Sequence, residues 1–199
     1  MVSGAGRAAV IDVRSGKVVW KSLGAYDLWR GSVPVAVLED KIILTHADGH
    51  VALSRDEGKV LWQVRATNLD PTGSGVGPQV AVMAGGMLVA SLGDSVAAID
   101  PADGTPVWRH AALAADAGAF RLFVLGDMVV AYESRSLTAT LVFLDLPGGK
   151  LLGELALGAC TGGLRVVPVR GGLFAQNGKE ILSIVPDGAA PSPDGLPGA

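Results

Sequence analysis

Apolar residues along this chain come in bursts of roughly four to eight, each ended by Gly, Asp or Pro. That is the pattern of short buried β-strands joined by tight turns. One phrase returns within it: an apolar strand, an Asp, a turn closed by Gly, and a second apolar strand ending in Trp. It reads Val10-Ile11-Asp12-Val13-Arg14-Ser15-Gly16-Lys17-Val18-Val19-Trp20, then Ala52-Leu53-Ser54 through Gly58-Lys59-Val60-Leu61-Trp62, then Ala98-Ile99-Asp100 through Gly104-Thr105-Pro106-Val107-Trp108. A worn fourth copy runs Phe143-Leu144-Asp145-Leu146-Pro147-Gly148-Gly149-Lys150-Leu151-Leu152-Gly153, with Gly where Trp is due. In every copy the turn Gly precedes the Trp position by four residues, and the copies are spaced by 42, 46 and 45 residues. This is the period of a propeller blade. The prediction is an all-β fold, a β-propeller of four-stranded antiparallel blades.

Strand counting predicts how the ends behave. The best-formed unit has strands at Val33–Leu38, Lys41–Thr45, His50–Leu53 and Lys59–Val64; the next runs from Gln79 to Trp108, and a third from Phe120 to Leu152. Before them stand two strands, Ala8–Val13 and Lys17–Trp20. After them stand about three, Gly163–Val167, Gly172–Ala175 and Glu180–Val185. Two plus three overfill one shared blade. The expectation is therefore an incomplete ring, with about four blades in residues 1–187, and a Pro/Gly-rich tail over 188–199 that cannot bury a core and is disordered. The Ala-rich segment from Ala111 to Ala119 has no apolar stripe, so no helix is predicted there.

The Asp and Trp of the phrase have separate physical tasks. An Asp carboxylate accepts from backbone N–H groups two or three residues ahead, and Gly closes such a turn in the left-handed conformation. Trp offers the largest apolar area with which to fill the gap between neighbouring blades. Gly153 gives up that contact, which predicts a weaker blade or a local irregularity.

The bulk numbers narrow the class. The chain has 199 residues, is 49% hydrophobic, and has a mean hydropathy of +0.42. No apolar run approaches the ~18 residues of a membrane-spanning helix, so the apolar excess belongs in stacked sheets. Net charge is −3 with Lys and Arg scattered, which argues against a nucleic-acid partner. Residues 1–7 show no basic segment followed by an apolar stretch, so no signal peptide is read there. Cys160 is the single cysteine, which excludes an internal disulfide.

The repeated phrase resembles the quinoprotein-like, pyrroloquinoline-quinone-type propeller repeat over roughly residues 8–187. Within that superfamily the chain looks most like the lumenal propeller of subunit 1 of the endoplasmic reticulum membrane protein complex. The opening Ala9–Trp20, the irregular insert Thr67–Pro78 and the worn later repeats carry that likeness. It implies a non-catalytic scaffold in the endoplasmic reticulum lumen, with other subunits of a membrane-protein-insertion complex as partners. That family's anchor and signal peptide are missing here, so the chain would be a partial version. Two rivals stand beside it. One is a bacterial envelope propeller of the outer-membrane assembly type, expected to carry a lipid-attachment Cys near its N-terminus, where none is seen. The other is a fragment of a quinone-dependent dehydrogenase.

Candidate chemistry is thin. Quinone sites of the resembling dehydrogenases use adjacent cysteines, whereas Cys160 is flanked by Ala159 and Thr161; Trp29, outside the repeat register, could stack on a ring but more simply covers an apolar edge. His46-Ala47-Asp48-Gly49-His50 is the best metal candidate, its two His facing each other across a hairpin base. Zinc takes three or four protein ligands, and the simpler reading is a polar hairpin rim. Asp70–Pro78 is Gly-rich, but Pro78 and a strand follow it where a phosphate cradle needs a helix. Asp12, Asp100 and Asp145 share one turn register and are not an acid–base pair. Cys160 lies in a loop with no His close in sequence, and His110 is a strand-end residue. The sequence thus assigns no catalytic, cofactor-binding or metal residues, no cofactor, no small-molecule substrate and no enzymatic activity.

Overall fold

A computed structural model of the chain describes residues 2–4, 7–21, 33–46, 48–66, 80–111, 120–134, 138–159, 164–169, 172–177 and 180–185. Trp29, the 70–78 segment, Cys160 and the 188–199 tail lie outside the described residues, as does nearly all of the Ala111–Ala119 segment.

The described chain is all β, in five antiparallel sheets whose strands follow chain order. The first sheet holds β1 (Val2–Gly4), β2 (Arg7–Ile11) and β3 (Val18–Lys21). The second holds β4 (Val33–Val37), β5 (Lys41–His46), β6 (Gly49–Ser54) and β7 (Val60–Arg65). The third is β8 (Ala81–Ala84), β9 (Met87–Leu92), β10 (Ser95–Ile99) and β11 (Pro106–Ala111). The fourth is β12 (Phe120–Leu125), β13 (Met128–Ser134), β14 (Thr138–Asp145) and β15 (Leu151–Ala159). The fifth is β16 (Leu164–Val169), β17 (Gly172–Asn177) and β18 (Glu180–Ile184).

Three four-stranded blades are thus flanked by two separate three-stranded sheets. The first sheet has one strand more than the two read from sequence. Val2–Gly4 pairs with Arg7–Ala9, a hairpin hidden from the pattern because Ser3, Gly4, Ala5 and Gly6 contribute almost no apolar signal.

The second, third and fourth sheets bury both faces of their middle strands, because each packs against the sheet before it and the sheet after it. Four apolar clusters occupy the four interfaces. Ile42, Leu44, Val51 and Leu53 meet Val10 and Trp20; Ile43, Ala52 and Trp62 meet Leu88, Ala90 and Ile99. Ala98 and Trp108 meet Val129, Ala131 and Leu144, and Val130 and Leu141 meet Leu164, Val166, Leu173 and Ala175. The side-chain alternation of strands delivers successive residues of β5, such as Ile42 and Ile43, to opposite interfaces. This face-to-face stacking is the propeller arrangement the spacing predicted.

Antiparallel pairing also sorts the connections by end. The Asp-to-Gly turns, residues 12–17, 54–59, 100–105 and 145–150, lie at one end with the short hairpins that follow β4, β8 and β12. The hairpins between second and third strands, such as His46–Gly49, lie at the other. The ends of β3, β7 and β11, from which the chain passes to the next blade, are at that second end too.

Candidate functional site: the blade interfaces and the outer edge

The turns have the chemistry expected from sequence. The Asp12 carboxylate accepts from Arg14 N at 2.8 Å and Ser15 N at 2.9 Å, Asp100 accepts from Ala102 N at 2.8 Å, and Asp145 accepts from Gly148 N at 2.9 Å. The N–H groups of Ser15 and Arg14 hold the Asp12 carboxyl below the usual carboxylate range. In the copy with Ser54, the hydroxyl accepts from Glu57 N at 3.1 Å. The turn side chains are occupied in holding backbone.

The three later turns also receive the Trp of the preceding sheet. Trp20 Nε1 donates to Arg55 O at 2.6 Å, Trp62 Nε1 to Pro101 O at 3.0 Å, and Trp108 Nε1 to Leu146 O at 2.8 Å. The three indoles lie over Gly58, Gly104 and Gly149, each with φ between 66° and 80°. A Cβ at Gly58 would stand 2.7 Å from Trp20 Cδ2, and one at Gly104 would stand 2.8 Å from Trp62 Cδ2. Gly is therefore required twice, by the dihedral and by the ring above it. Lys41, buried at the start of β5, adds to one lock: its Nζ donates to Ala102 O at 2.9 Å and Pro101 O at 3.2 Å.

Two positions break the series. Gly16 has the same turn and a φ of 67°, yet no atom would lie within 4 Å of a Cβ there. At the other end of the series, Gly153 pairs with Phe143, whereas Trp20, Trp62 and Trp108 pair with Val10, Ala52 and Ala98. The aromatic ring has moved across to the neighbouring strand. It fills the gap only in part, because a cavity of about 360 Å³ remains between the fourth and fifth sheets, with Phe143 and Gly153 in its wall. The irregularity predicted at Gly153 is this space.

The outer strands share a feature not foreseen from sequence. Register shifts between Val10 and Ile11, Ala52 and Leu53, Ala98 and Ile99, and Phe143 and Leu144 place one bulged residue just before each Trp position. Those residues are Val19, Leu61, Val107 and Leu152, all apolar and 48–57% exposed. A bulge leaves its extra residue unpaired and re-aims the side chains beside it. Here it turns the Trp inward and sets an apolar side chain on the outer edge of each of four successive sheets. The legible signal was two apolar residues in succession before Trp, which breaks strict strand alternation.

The histidine pair does not assemble as expected. His50 is opposite Thr45, and His46 is opposite Gly49, so the two side chains emerge on opposite faces of the sheet rather than facing each other. His50 is fully buried, and its Nε2 lies 2.8 Å from Ser91 O in the third sheet, which makes Nε2 the protonated nitrogen. Burial pushes its pKa down to about 4, against the raising effect of that hydrogen bond. His46 Nδ1 accepts from Asp48 N at 3.1 Å, and burial lowers its pKa as well. Among the described residues no three His, Cys, Asp or Glu side chains come together as a metal set. His110 sits next to the end of β11, opposite Val96. No helix among the described residues is long and apolar enough to cross a membrane.

Comparison with known proteins agrees with this geometry. No curated protein matches the chain. Among solved structures, BamB from Moraxella catarrhalis superposes with a TM-score of 0.65 at 19% identity, covering 94% of this chain and 60% of that one. A computationally designed protein, Ika8, gives 0.62 at 14% identity, with coverages of 90% and 52%. Hsv2 from Kluyveromyces lactis gives 0.57 at 13%, with coverages of 86% and 51%. At these identities the likeness is one of fold, and the chain spans between half and two thirds of each structure. Residues 4–183 match the family described as outer membrane protein assembly factor BamB, and with nearly the whole repeat array inside that match, the chain belongs to this PQQ-type propeller family.

Proposed function

We propose that this chain is part of a non-catalytic propeller scaffold that helps assemble outer-membrane proteins in a bacterial envelope, through contacts with other proteins. The family match over residues 4–183 carries the reading. The chemistry of the side chains supports it. The turn carboxylates of Asp12, Asp100 and Asp145 and the His50 imidazole are engaged in holding backbone. The exposed bulge residues Val19, Leu61, Val107 and Leu152 repeat once per sheet on a rigid frame, where they are accessible to a protein partner. The endoplasmic reticulum role expected from sequence rests on resemblance alone, and the family's description favours the envelope.

The test is genetic and biochemical. The gene containing this chain is deleted in its host, and folded outer-membrane barrel proteins are quantified by heat-modifiability on gels. The reading expects a drop in folded barrels that the wild-type gene restores and a Leu61→Asp/Val107→Asp/Leu152→Asp variant restores poorly. Unchanged barrel levels in the deletion strain would refute it.

A further inference from the structure

We propose that the cavity beside Gly153 is a binding site for a planar aromatic group of about the size of an indole. Three interfaces of this chain show what the position is built to hold. At Trp20, Trp62 and Trp108 the ring projects from the outer strand into the gap before the next sheet. In the fourth sheet the same strand position is Gly153, whose missing side chain would meet nothing within 4 Å. The Phe143 ring on the adjacent strand is half-buried and leaves about 360 Å³ open. Even the smaller end of the ligand-pocket range, roughly 300 Å³, is met.

The walls suit an aromatic guest. Among the described residues the fourth sheet contributes Leu125, Met128 and Phe143, and the fifth contributes Leu173 and Ile184. Phe143 offers a face for stacking and Met128 a polarizable thioether, both of which favour π-systems over aliphatic chains. The cavity continues the buried interface formed by Tyr132, Leu141 and Leu164, so a ring seated there extends a packed core. This inference stands independently of the outer-membrane assembly reading. The ring could be a free small molecule or the side chain of a bound protein, and the experiment separates them.

Indole and N-acetyl-tryptophanamide are titrated against the purified chain, with binding read from the ε-methyl resonances of its methionines. A shift of the Met128 methyl, with those of Met83 and Met87 unmoved, is the expected result. If both probes act, the site accepts a tryptophan attached to a peptide; if indole alone acts, it accepts a free aromatic molecule. The Phe143→Ala/Gly153→Trp variant rebuilds the small-residue and Trp pair of the other sheets, and affinity should fall by roughly tenfold or more in it. No shift at Met128 with either probe overturns the proposal. So does binding that the double variant leaves unchanged. Because the methyl readout uses the unaltered chain, the proposal can still be overturned if that variant fails to fold.

Discussion

The indole of Trp62 lies flat against Gly104 of the following sheet, and its ring nitrogen donates to the Pro101 carbonyl at 3.0 Å. The same pairing joins Trp20 to Gly58 and Trp108 to Gly149. A residue chosen for its bulk and a residue chosen for having none are thus one device, separated by 38, 42 and 41 residues in sequence. The near-constant blade period keeps these two in register across the first three interfaces.

Comparing glycines separates the dihedral from the ring. Gly104→Ala places a Cβ in the left-handed region, at roughly 1–2 kcal/mol, and drives it into Trp62, for which overpacking adds about 1–3 kcal/mol. Gly16→Ala has the same dihedral and open space above it, so only the first cost applies. Urea denaturation should show Gly104→Ala destabilised well beyond Gly16→Ala. Equal losses would mean that the indole contact contributes nothing.

Removing the ring tests the same lock from the other side. Trp62 and Trp108 are both 8% exposed, so Trp62→Ala or Trp108→Ala should cost about 3–5 kcal/mol. Trp20 is less buried, and its replacement should cost less. Thermal unfolding by circular dichroism ranks the three.

Most of this architecture was legible in the sequence, and what escaped did so for physical reasons. The Asp–Gly turns and the Trp register were readable because their residues have local or repeated tasks. Bulges at Val19, Leu61, Val107 and Leu152 were harder to see, since an extra residue in an apolar strand looks like more strand. The opposite placement of His46 and His50 depends on hairpin register, in which Thr45 rather than His46 pairs with His50. One residue of register moves a side chain to the other face. The move of the aromatic ring from position 153 to Phe143 was invisible because it crosses strands ten residues apart in sequence.

Lys41 offers a milder test. The second strands of the next two blades begin with Met87 and Met128, so this position accepts an unbranched apolar chain. Lys41→Met should keep the packing and lose the hydrogen bonds to Pro101 and Ala102, at about 1–2 kcal/mol. Lys41→Ala loses the packing too and should unfold at a lower urea concentration than Lys41→Met.

His50 makes stability depend on pH in a defined window. Its pKa is about 4 in the folded chain against an ordinary 6.5, so between these values the unfolded chain takes up a proton that the folded chain refuses. Stability is therefore full above about pH 6.5 and falls as pH drops toward 4, by on the order of 3 kcal/mol across the window. His46, whose pKa is also lowered by burial, acts in the same direction. His50→Gln keeps an amide N–H for the Ser91 carbonyl and removes the titration. Between pH 7 and pH 5, above the range where carboxylates dominate, the wild-type chain should lose more stability than His50→Gln. Parallel curves for the two over that range would show that His50 is protonated without unfolding, and that its burial does not set its charge.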